Sequence, residues 1–509
     1  MAEHDADTPE QAEVVALMTD PATHDGAAVE HVETHLSHVF LAGEYAWKVK
    51  RAVRRDFVDF STLDARRAAC EAEIRVNTRT APDIYLGVAA IRRAGEGLVL
   101  DLAGDGGGEA VDYAVRMRRF ADDVLFSHMA ERGRLTPAHL RGLADVTAAL
   151  HRAERPVAPG RPLDAIAATL RRELAEAAAG TAVEDAAAGW DARFAPAFAA
   201  VRPGIEARAR HGAVREGHGD LHLANVCLFE GRVRPFDAIE FDPGLSRIDG
   251  LYDLAFALMD LAHRDARALG CVLLSRYLSA TRDYGWVDLL APMMSLRAAI
   301  RAMVALISPG AEREATARDL LATATRLLDP PPPPRLVVVG GRSGTGKSRL
   351  AAALAPALAP VPQAVVLRSD EIRKRLAGVA PETRLPPAAY TRESAARVYR
   401  RMLRDGARVL GAGGTAVLDG AFLDPEERRA AEAAAARAGA AFHGLWLSAG
   451  DDVLEGRIAA RSGDASDADA AVMRAQPDPA PTGPGWRRID AGRAPEAVEA
   501  EARGALGFG

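Results

Sequence analysis

The stretch His218-Gly219-Asp220-Leu221-His222-Leu223-Ala224-Asn225 decides how this chain is read. It sets an acid at Asp220 and an amide at Asn225, with apolar Val226 and Leu228 following. Pro235-Phe236-Asp237 then brings a second acid after a hairpin's length of chain. Phosphoryl transfer from a nucleoside triphosphate needs that set. One carboxylate orients the acceptor hydroxyl and takes its proton, while an amide oxygen and a second carboxylate hold the magnesium ions that neutralise the phosphates. Asp220 is the candidate base, and Asn225 and Asp237 are the candidate metal ligands. A polar surface turn also holds such residues, but it requires neither this acid-to-amide spacing nor the later acid.

Upstream, residues 31–50 read as two strands, Ser37-His38-Val39-Phe40-Leu41 and Tyr45-Ala46-Trp47-Lys48-Val49, about a Gly43-Glu44 turn. A strand lysine that reaches the phosphates pairs with a helix glutamate in such sites. Ala46-Trp47-Lys48 resembles the A-x-K of that strand, which implies Lys48 in that role, with Lys50 second. Residues 63–79 have a helical pattern and carry Glu71 and Glu73, of which Glu73 is the favoured partner. Either glutamate alone also fits a solvated helix face. Residues 9–18 read as a short helix, and 98–102 and 113–117 as strands around the glycine-rich run 104–108. No G-x-G-x-x-G precedes Lys48, and the nucleotide loop falls at 34–38. A hinge is expected at 117–121. Helical patterns follow at 137–152, 163–179 and 192–210, and again beyond Leu251, Leu254, Leu258 and Leu261.

His-Gly-Asp with the downstream Asn225 and Asp237 resembles the aminoglycoside phosphotransferase family, over about residues 30–265. That resemblance implies a two-lobed kinase fold and transfer from ATP or GTP to a small-molecule hydroxyl. It also implies that Asp253, in Tyr252-Asp253-Leu254-Ala255, buttresses the catalytic loop.

The unbroken proline run 330–334 stops helices and reads as a linker. Arg335-Leu336-Val337-Val338-Val339 is a buried strand. Gly341-Arg342-Ser343-Gly344-Thr345-Gly346-Lys347-Ser348 follows, and then a helical pattern. This is G-x4-G-K-S between strand and helix, the context of a phosphate-binding loop. Its glycines let backbone N–H groups face phosphate oxygens, Lys347 reaches the β/γ-phosphates, and Ser348 offers its hydroxyl to magnesium. The chain holds only four lysines, Lys48, Lys50, Lys347 and Lys374, and three of them stand where a phosphate lysine is needed. Residues 364–370 form the next strand, ending at Ser369-Asp370. Residues 415–419 are a strand ending in Asp419, placed to meet the metal's water shell. After a strand at 445–447, Arg457 and Arg461 share a helix face before a polar loop, as lid arginines do, although an exposed basic face has the same look. Residues 477–484 read as a proline-rich loop, and a last helix starts at Pro495.

These elements resemble the gluconate kinase, chloramphenicol phosphotransferase and zeta-toxin group of P-loop kinases, over about residues 335–475. That resemblance implies Asp370 as the base and Arg373 as an acceptor ligand. The two halves together resemble a bacterial family of bifunctional aminoglycoside phosphotransferase-like, P-loop (AAA) ATP-binding proteins.

Length and composition set the frame. The chain has 509 residues, 49% hydrophobic, with a formal net charge of -6, so no global field draws nucleic acid or an anionic membrane. Cys70, Cys227 and Cys271 are widely spaced and suggest neither zinc nor a disulfide framework. No signal pattern or 18-residue apolar run stands out, and a cytoplasmic setting is expected. The expected fold is an α+β protein-kinase-like two-lobed domain at 1–329 (N-lobe about 25–120, C-lobe about 121–329). The linker 330–334 and an α/β P-loop domain with a parallel sheet at 335–509 follow. The halves are expected to fold independently. The expected chemistry is transfer of the γ-phosphate of ATP, with Mg2+, to a small-molecule hydroxyl at each of two sites, with no nucleic-acid or membrane partner. The alternative from another class is a regulatory protein that binds or hydrolyses nucleotide without an acceptor. A nucleic-acid kinase is disfavoured by the acidic balance and the absence of a basic, aromatic-studded stretch.

Overall fold

Trp47 and Val49 alternate with Lys48 and Lys50 along one strand, and the two-residue period sends each pair to its own face. That alternation organises the first part of the fold. The computed structural model describes residues 8–55, 58–102, 104, 106–308, 310–359, 364–459, 470–478, 481 and 483–507. The contacts divide the chain into two units. The first comprises Met1–Leu135, Ala149–Ala167 and Ala207–Ala257, and the second comprises Thr136–Ala148, Ala168–Glu206 and Leu258–Gly509.

In the first unit, α1 (Pro9–Thr19) is capped by Thr8, whose side chain accepts from the Gln11 amide. Strands β1 (Val29–Glu33), β2 (Ser37–Ala42) and β3 (Tyr45–Lys50) precede α2 (Leu63–Asn77). Strands β4 (Tyr85–Ala94), β5 (Gly97–Asp101) and β6 (Ala110–Arg118) complete an antiparallel sheet of order β1-β2-β3-β6-β4-β5. Trp47 and Val49 join Phe40, Ile91 and Ala114 in a core closed by Val14 and Met18 of α1. α2 packs against β6 and β4. The sequence reading anticipates β2, β3, β5, β6 and both helices. It lacks β1, whose residues are mostly exposed, and β4, where Gly87 and a register shift interrupt the alternation. The stretch 218–225 leads into an antiparallel hairpin that pairs Val226 with Pro235 and Phe229 with Arg232.

Four helices carry the chain through both units: α3 (Pro137–Ala153), α4 (Leu163–Ala178), α5 (Glu184–Arg210) and α6 (Gly250–His263). α5 begins at Glu184 rather than near 192, since Glu184 and Asp185 suit a helix N-terminus and the alanines after them favour helix. In the second unit follow α7 (Arg267–Thr281), α8 (Leu290–Ile307) and α9 (Arg313–Arg326). Tyr284–Ile307 is long and apolar enough to cross a membrane by length and composition, yet 61% of that window is buried inside the fold. It is a core segment, and Ser295 on it accepts from Trp190 Nε1 at 3.0 Å.

A five-stranded sheet holds the P-loop. Its strands are β7 (Arg335–Gly341), β8 (Val365–Arg368), β9 (Ala416–Asp419), β10 (Ala441–Ser448) and β11 (Trp486–Asp490). All pairings are parallel, and the order is β8-β9-β7-β10-β11. Central β7 is an unbroken apolar run because both of its faces are covered. β11 is absent from the sequence reading, since Trp486-Arg487-Arg488-Ile489-Asp490 is mostly polar and exposed, as an edge strand can be. Helices α10 (Lys347–Leu358), α11 (Ser369–Leu376), α12 (Arg392–Gly411), α13 (Pro425–Arg437), α14 (Asp451–Ala459), α15 (Ala470–Ala475) and α16 (Pro495–Ala505) complete this region. The fold class is thus a kinase-like α+β part followed by an α/β P-loop part.

Packing does not stop at the proline run. Cys271 of α7 is buried in one core with Val337, Val339, Leu350 and Leu354. Ser275 of α7 accepts the Val366 amide of edge strand β8 at 3.0 Å. Arg276 is bidentate to Asp145, at 2.7 and 2.8 Å, and also meets Glu382 at 3.1 Å. Arg375 donates to the Ser279 carbonyl at 2.7 Å and to Asp405 at 2.9 Å.

Candidate active sites

The first site is built on a buried anion. Asp253, in the first turn of α6, accepts the backbone amides of His218 at 2.7 Å and Gly219 at 3.0 Å. His151 Nε2 lies 2.9 Å from the same carboxylate. Burial alone would raise this carboxyl, but the His151 contact and the loop amide hold it below the usual range. Gly219 has φ +86°, and a Cβ there would meet the Leu245 carbonyl at 3.0 Å. The turn that presents Asp220 therefore requires glycine.

Asn225 Nδ2 donates to the Asp220 carbonyl at 3.0 Å and to its Oδ2 at 2.9 Å. That leaves Oδ1 as the end of the amide a cation would use. His222 Nε2 sits 3.3 Å from Asp220 Oδ2, its ring edge-on to Phe256. His218 is buried, and its Nε2 meets the Phe236 carbonyl at 3.0 Å, so it ties the Asp220 loop to the segment that carries Asp237.

Lys48 Nζ lies 3.0 Å from Glu73 Oε1 and 2.6 Å from Asp237 Oδ1. Burial would lower the Lys48 ammonium, but Asp237 and Glu73 hold it well above its ordinary value. Asp237 responds in the opposite sense, with burial raising it and Lys48 bringing it below the carboxylate range. Asp237 sits at φ +59°, a costly conformation for a non-glycine residue. Lys48 and the Tyr85 hydroxyl, which accepts the Asp237 amide at 3.1 Å, hold it there. Glu73 is fully buried, whereas Glu71 is exposed and pairs with Arg67 at 2.9 Å.

Lys50 is also buried, 2.5 Å from Glu73 Oε2 and in contact with Glu240. The sequence reading placed Lys50 second and did not single out Glu240 or Tyr85. The signal for Glu240 was there in Asp237-Ala-Ile-Glu240, an acid on the same short loop.

A cavity of about 540 Å³ joins these groups. Lys48, Lys50, Asp220 and Asp237 line it, as do Thr34 and Ser37 of the expected nucleotide loop and Met117 and Phe120 of the expected hinge. Among the described residues no three His, Cys, Asp or Glu are grouped to hold a metal. Magnesium held by one or two carboxylates and the nucleotide's phosphates does not need such a group.

The second site is contiguous in sequence. Gly341 has φ +134°, and a Cβ there would lie 2.3 Å from the Leu447 carbonyl. Gly344 and Gly346 also have positive φ, and Lys347 opens α10. Lys347 Nζ donates to the Arg342 carbonyl at 2.8 Å, and Thr345 Oγ1 donates to that same oxygen at 2.8 Å. The Ser343 amide donates to Gln476 Oε1 at 2.8 Å. Arg342 reaches Asp451 at 2.7 Å and the Met473 carbonyl at 3.0 Å. Ser348 Oγ accepts from Arg368 at 3.0 Å, and Arg368 Nε is 3.1 Å from Asp419 Oδ2.

Asp370 lies at the start of α11, where burial and the Asp419 carboxylate raise its carboxyl. Arg373, one turn on, stacks on the Tyr390 ring at 4.7 Å and reaches Ser394 at 3.3 Å. Glu427, which the sequence reading did not single out, is pushed to about 7 by burial and by Asp424. A cavity of about 240 Å³ beside the loop is lined by Thr345, Arg349, Arg457, Arg493 and Pro495. Arg461 lies outside the described residues.

Residues 336–479 match a family described as an AAA domain. Over 483 residues the chain is 32% identical to the uncharacterized protein Rv2004c of Mycobacterium tuberculosis, covering 90% of this chain and 93% of that one. The uncharacterized protein Mb2027c of Mycobacterium bovis matches to the same degree. Among solved structures, a choline/ethanolamine kinase family protein from Mesorhizobium loti matches at 14% identity. That match covers 63% of this chain and 95% of the other, with a TM-score of 0.39. A gluconokinase from Sinorhizobium meliloti matches at 21% identity over 34% of this chain and 92% of its own, with a TM-score of 0.25.

Proposed function

The chain belongs to one family with the mycobacterial Rv2004c and Mb2027c proteins, and we propose that it is an ATP-dependent phosphotransferase with two nucleotide sites. Each site transfers the γ-phosphate to a small-molecule hydroxyl. The observation that carries the reading is Lys48, bridging Glu73 and Asp237 at the wall of a cavity that Asp220 also lines. A solvated turn does not hold a lysine between two acids drawn from distant segments.

In the kinase-like cleft, Lys48 holds the α/β-phosphates while Glu73 fixes its direction. Asp220 accepts the proton of the acceptor hydroxyl. The freed oxygen bonds to the γ-phosphorus as the bond to the bridging oxygen of ADP breaks. Asn225 and Asp237 would hold magnesium, which would offset the charge of the phosphates. His222 beside Asp220 keeps the carboxylate aimed.

In the P-loop site, backbone amides of the loop that ends at Ser348 cradle the phosphates and Lys347 spans the β/γ pair. Ser348 would offer its hydroxyl to magnesium, and Asp419 would meet the ion's water shell. The cavity beside Thr345 and Arg349, which Arg457 also lines, takes the nucleoside. Asp370 is the base and Arg373 the acceptor ligand.

The test is Asp220→Ala in the full chain, assayed for ATP consumption against sugars, sugar acids and aminoglycosides. Loss of general-base catalysis lowers transfer at that site by about 10²–10⁴-fold with ATP binding nearly intact. Wild-type transfer by Asp220→Ala protein would refute the assignment.

A further inference from the structure

The phosphate loop of the second site is filled by the chain's own side chains, and each has the polarity of a ligand. The Ser343 amide is one of the donors a bound phosphate would use, and Gln476 Oε1 sits on it at 2.8 Å. Lys347 Nζ rests on the Arg342 carbonyl at 2.8 Å. The Arg368 guanidinium spans Ser348 Oγ at 3.0 Å and Asp419 Oδ2 at 3.1 Å, with Glu371 Oε1 at 3.6 Å. An uncharged oxygen thus stands where a phosphate oxygen would go. A cation spans the Ser348 hydroxyl and the Asp419 carboxylate, the groups read here as meeting the divalent ion and its water shell.

The geometry points to a self-occupied nucleotide site, in which Gln476 competes with the triphosphate and Arg368 competes with its metal. The inference rests on the reading of the Lys347 site as a nucleotide site. It goes further in assigning Gln476 and Arg368, two residues outside the P-loop motif, to control of what enters.

Two physical consequences separate this from ordinary pairing of buried groups. A tethered competitor lowers apparent affinity by the fraction of molecules in which the site is open. Removing it tightens binding, whereas removing a merely structural contact does not. Arg368 also neutralises Asp419, so the divalent ion alone gains little by entering. It enters with the nucleotide, whose phosphates supply further ligands. Without Arg368, the carboxylates of Asp419 and Glu371 lose that counter-charge, and the ion alone can bind them.

The test uses the full chain in an Asp237→Ala background, which silences the kinase-like cleft. ATP with magnesium is titrated calorimetrically. Gln476→Ala tightens ATP binding by about two- to tenfold, the worth of one neutral hydrogen bond. Gln476→Glu puts a charged, more phosphate-like oxygen on the same amide and weakens ATP binding. Equal affinity in all three proteins, or the same direction of change in both variants, removes the role given to Gln476. In the second arm, magnesium chloride without nucleotide raises the melting temperature of Arg368→Gln protein and leaves that of the parent unchanged. An equal rise in both, or a rise in neither, removes the role given to Arg368. Absence of ATP binding in every variant, parent included, would overturn the nucleotide reading and this inference with it.

Discussion

The two phosphate sites reach readiness by different routes. In the kinase-like cleft the lysine comes from β3 and its acids from α2 and from a loop 189 residues away. The fold must form before that site exists, and once formed it is assembled around an open cavity. In the P-loop, one contiguous stretch supplies the glycines, the lysine and the Ser348 hydroxyl. Its backbone geometry is local, yet the Ser343 amide turns to Gln476 and the Ser348 hydroxyl to Arg368. A dispersed site thus has its charges paired with one another across segments, whereas a contiguous one borrows partners from its surroundings.

That contrast is broken first by severing the chain. A fragment starting at 335 would lack Ser275, which accepts the Val366 amide, and Cys271, which fills the core beside Leu350 and Leu354. It is expected to aggregate, while the full chain stays monodisperse on size exclusion. A soluble 335–509 fragment that binds ATP as the full chain does would show the P-loop part to be self-sufficient.

The next effect belongs to Asp253. Asp253→Ala leaves His151 and two loop amides without their buried acceptor and should cost about 3–5 kcal/mol by denaturant titration. The folded carboxyl lies below its unfolded value, near 3.9. Its contribution is therefore complete above that pH and disappears as pH falls through the folded value. The gap between variant and wild type should close under strong acid. A gap of equal size at pH 7 and in strong acid would show that the loss is one of packing.

The smallest effects separate the two glutamates of α2. Glu73→Gln weakens the hold on Lys48 and Lys50 and should raise the KM for ATP at the cleft. Glu71→Gln removes an exposed pair and should stay within about 0.5 kcal/mol of wild-type stability with an unchanged KM. Equal kinetics for both variants would remove Glu73 from the site.

Much of this was legible in the sequence, for reasons that differ by residue. Lys347 and Ser348 stand in a local motif that needs no fold to be recognised. Lys48 was picked because Ala46-Trp47-Lys48 resembles the lysine strand of a kinase N-lobe, and Glu73 as its helix partner, and the structure joins them. Glu240 and Tyr85 were not picked, since their role depends on which segments the sheet brings together. Gln476 lies in a stretch with no motif. β1, β4 and β11 went unseen where exposure or a bulge erased the alternation. The proline run marks a real change of composition, but composition does not report that α7 packs into the following sheet.

The central claim is two nucleotide sites in one chain, and counting bound ATP tests it most directly. Calorimetric titration of the full chain with ATP and magnesium is predicted to give two sites per chain. Lys347→Ala should remove one and Asp237→Ala the other, with the double variant binding none. A single site in the wild type, or two sites that survive both substitutions, would contradict the account.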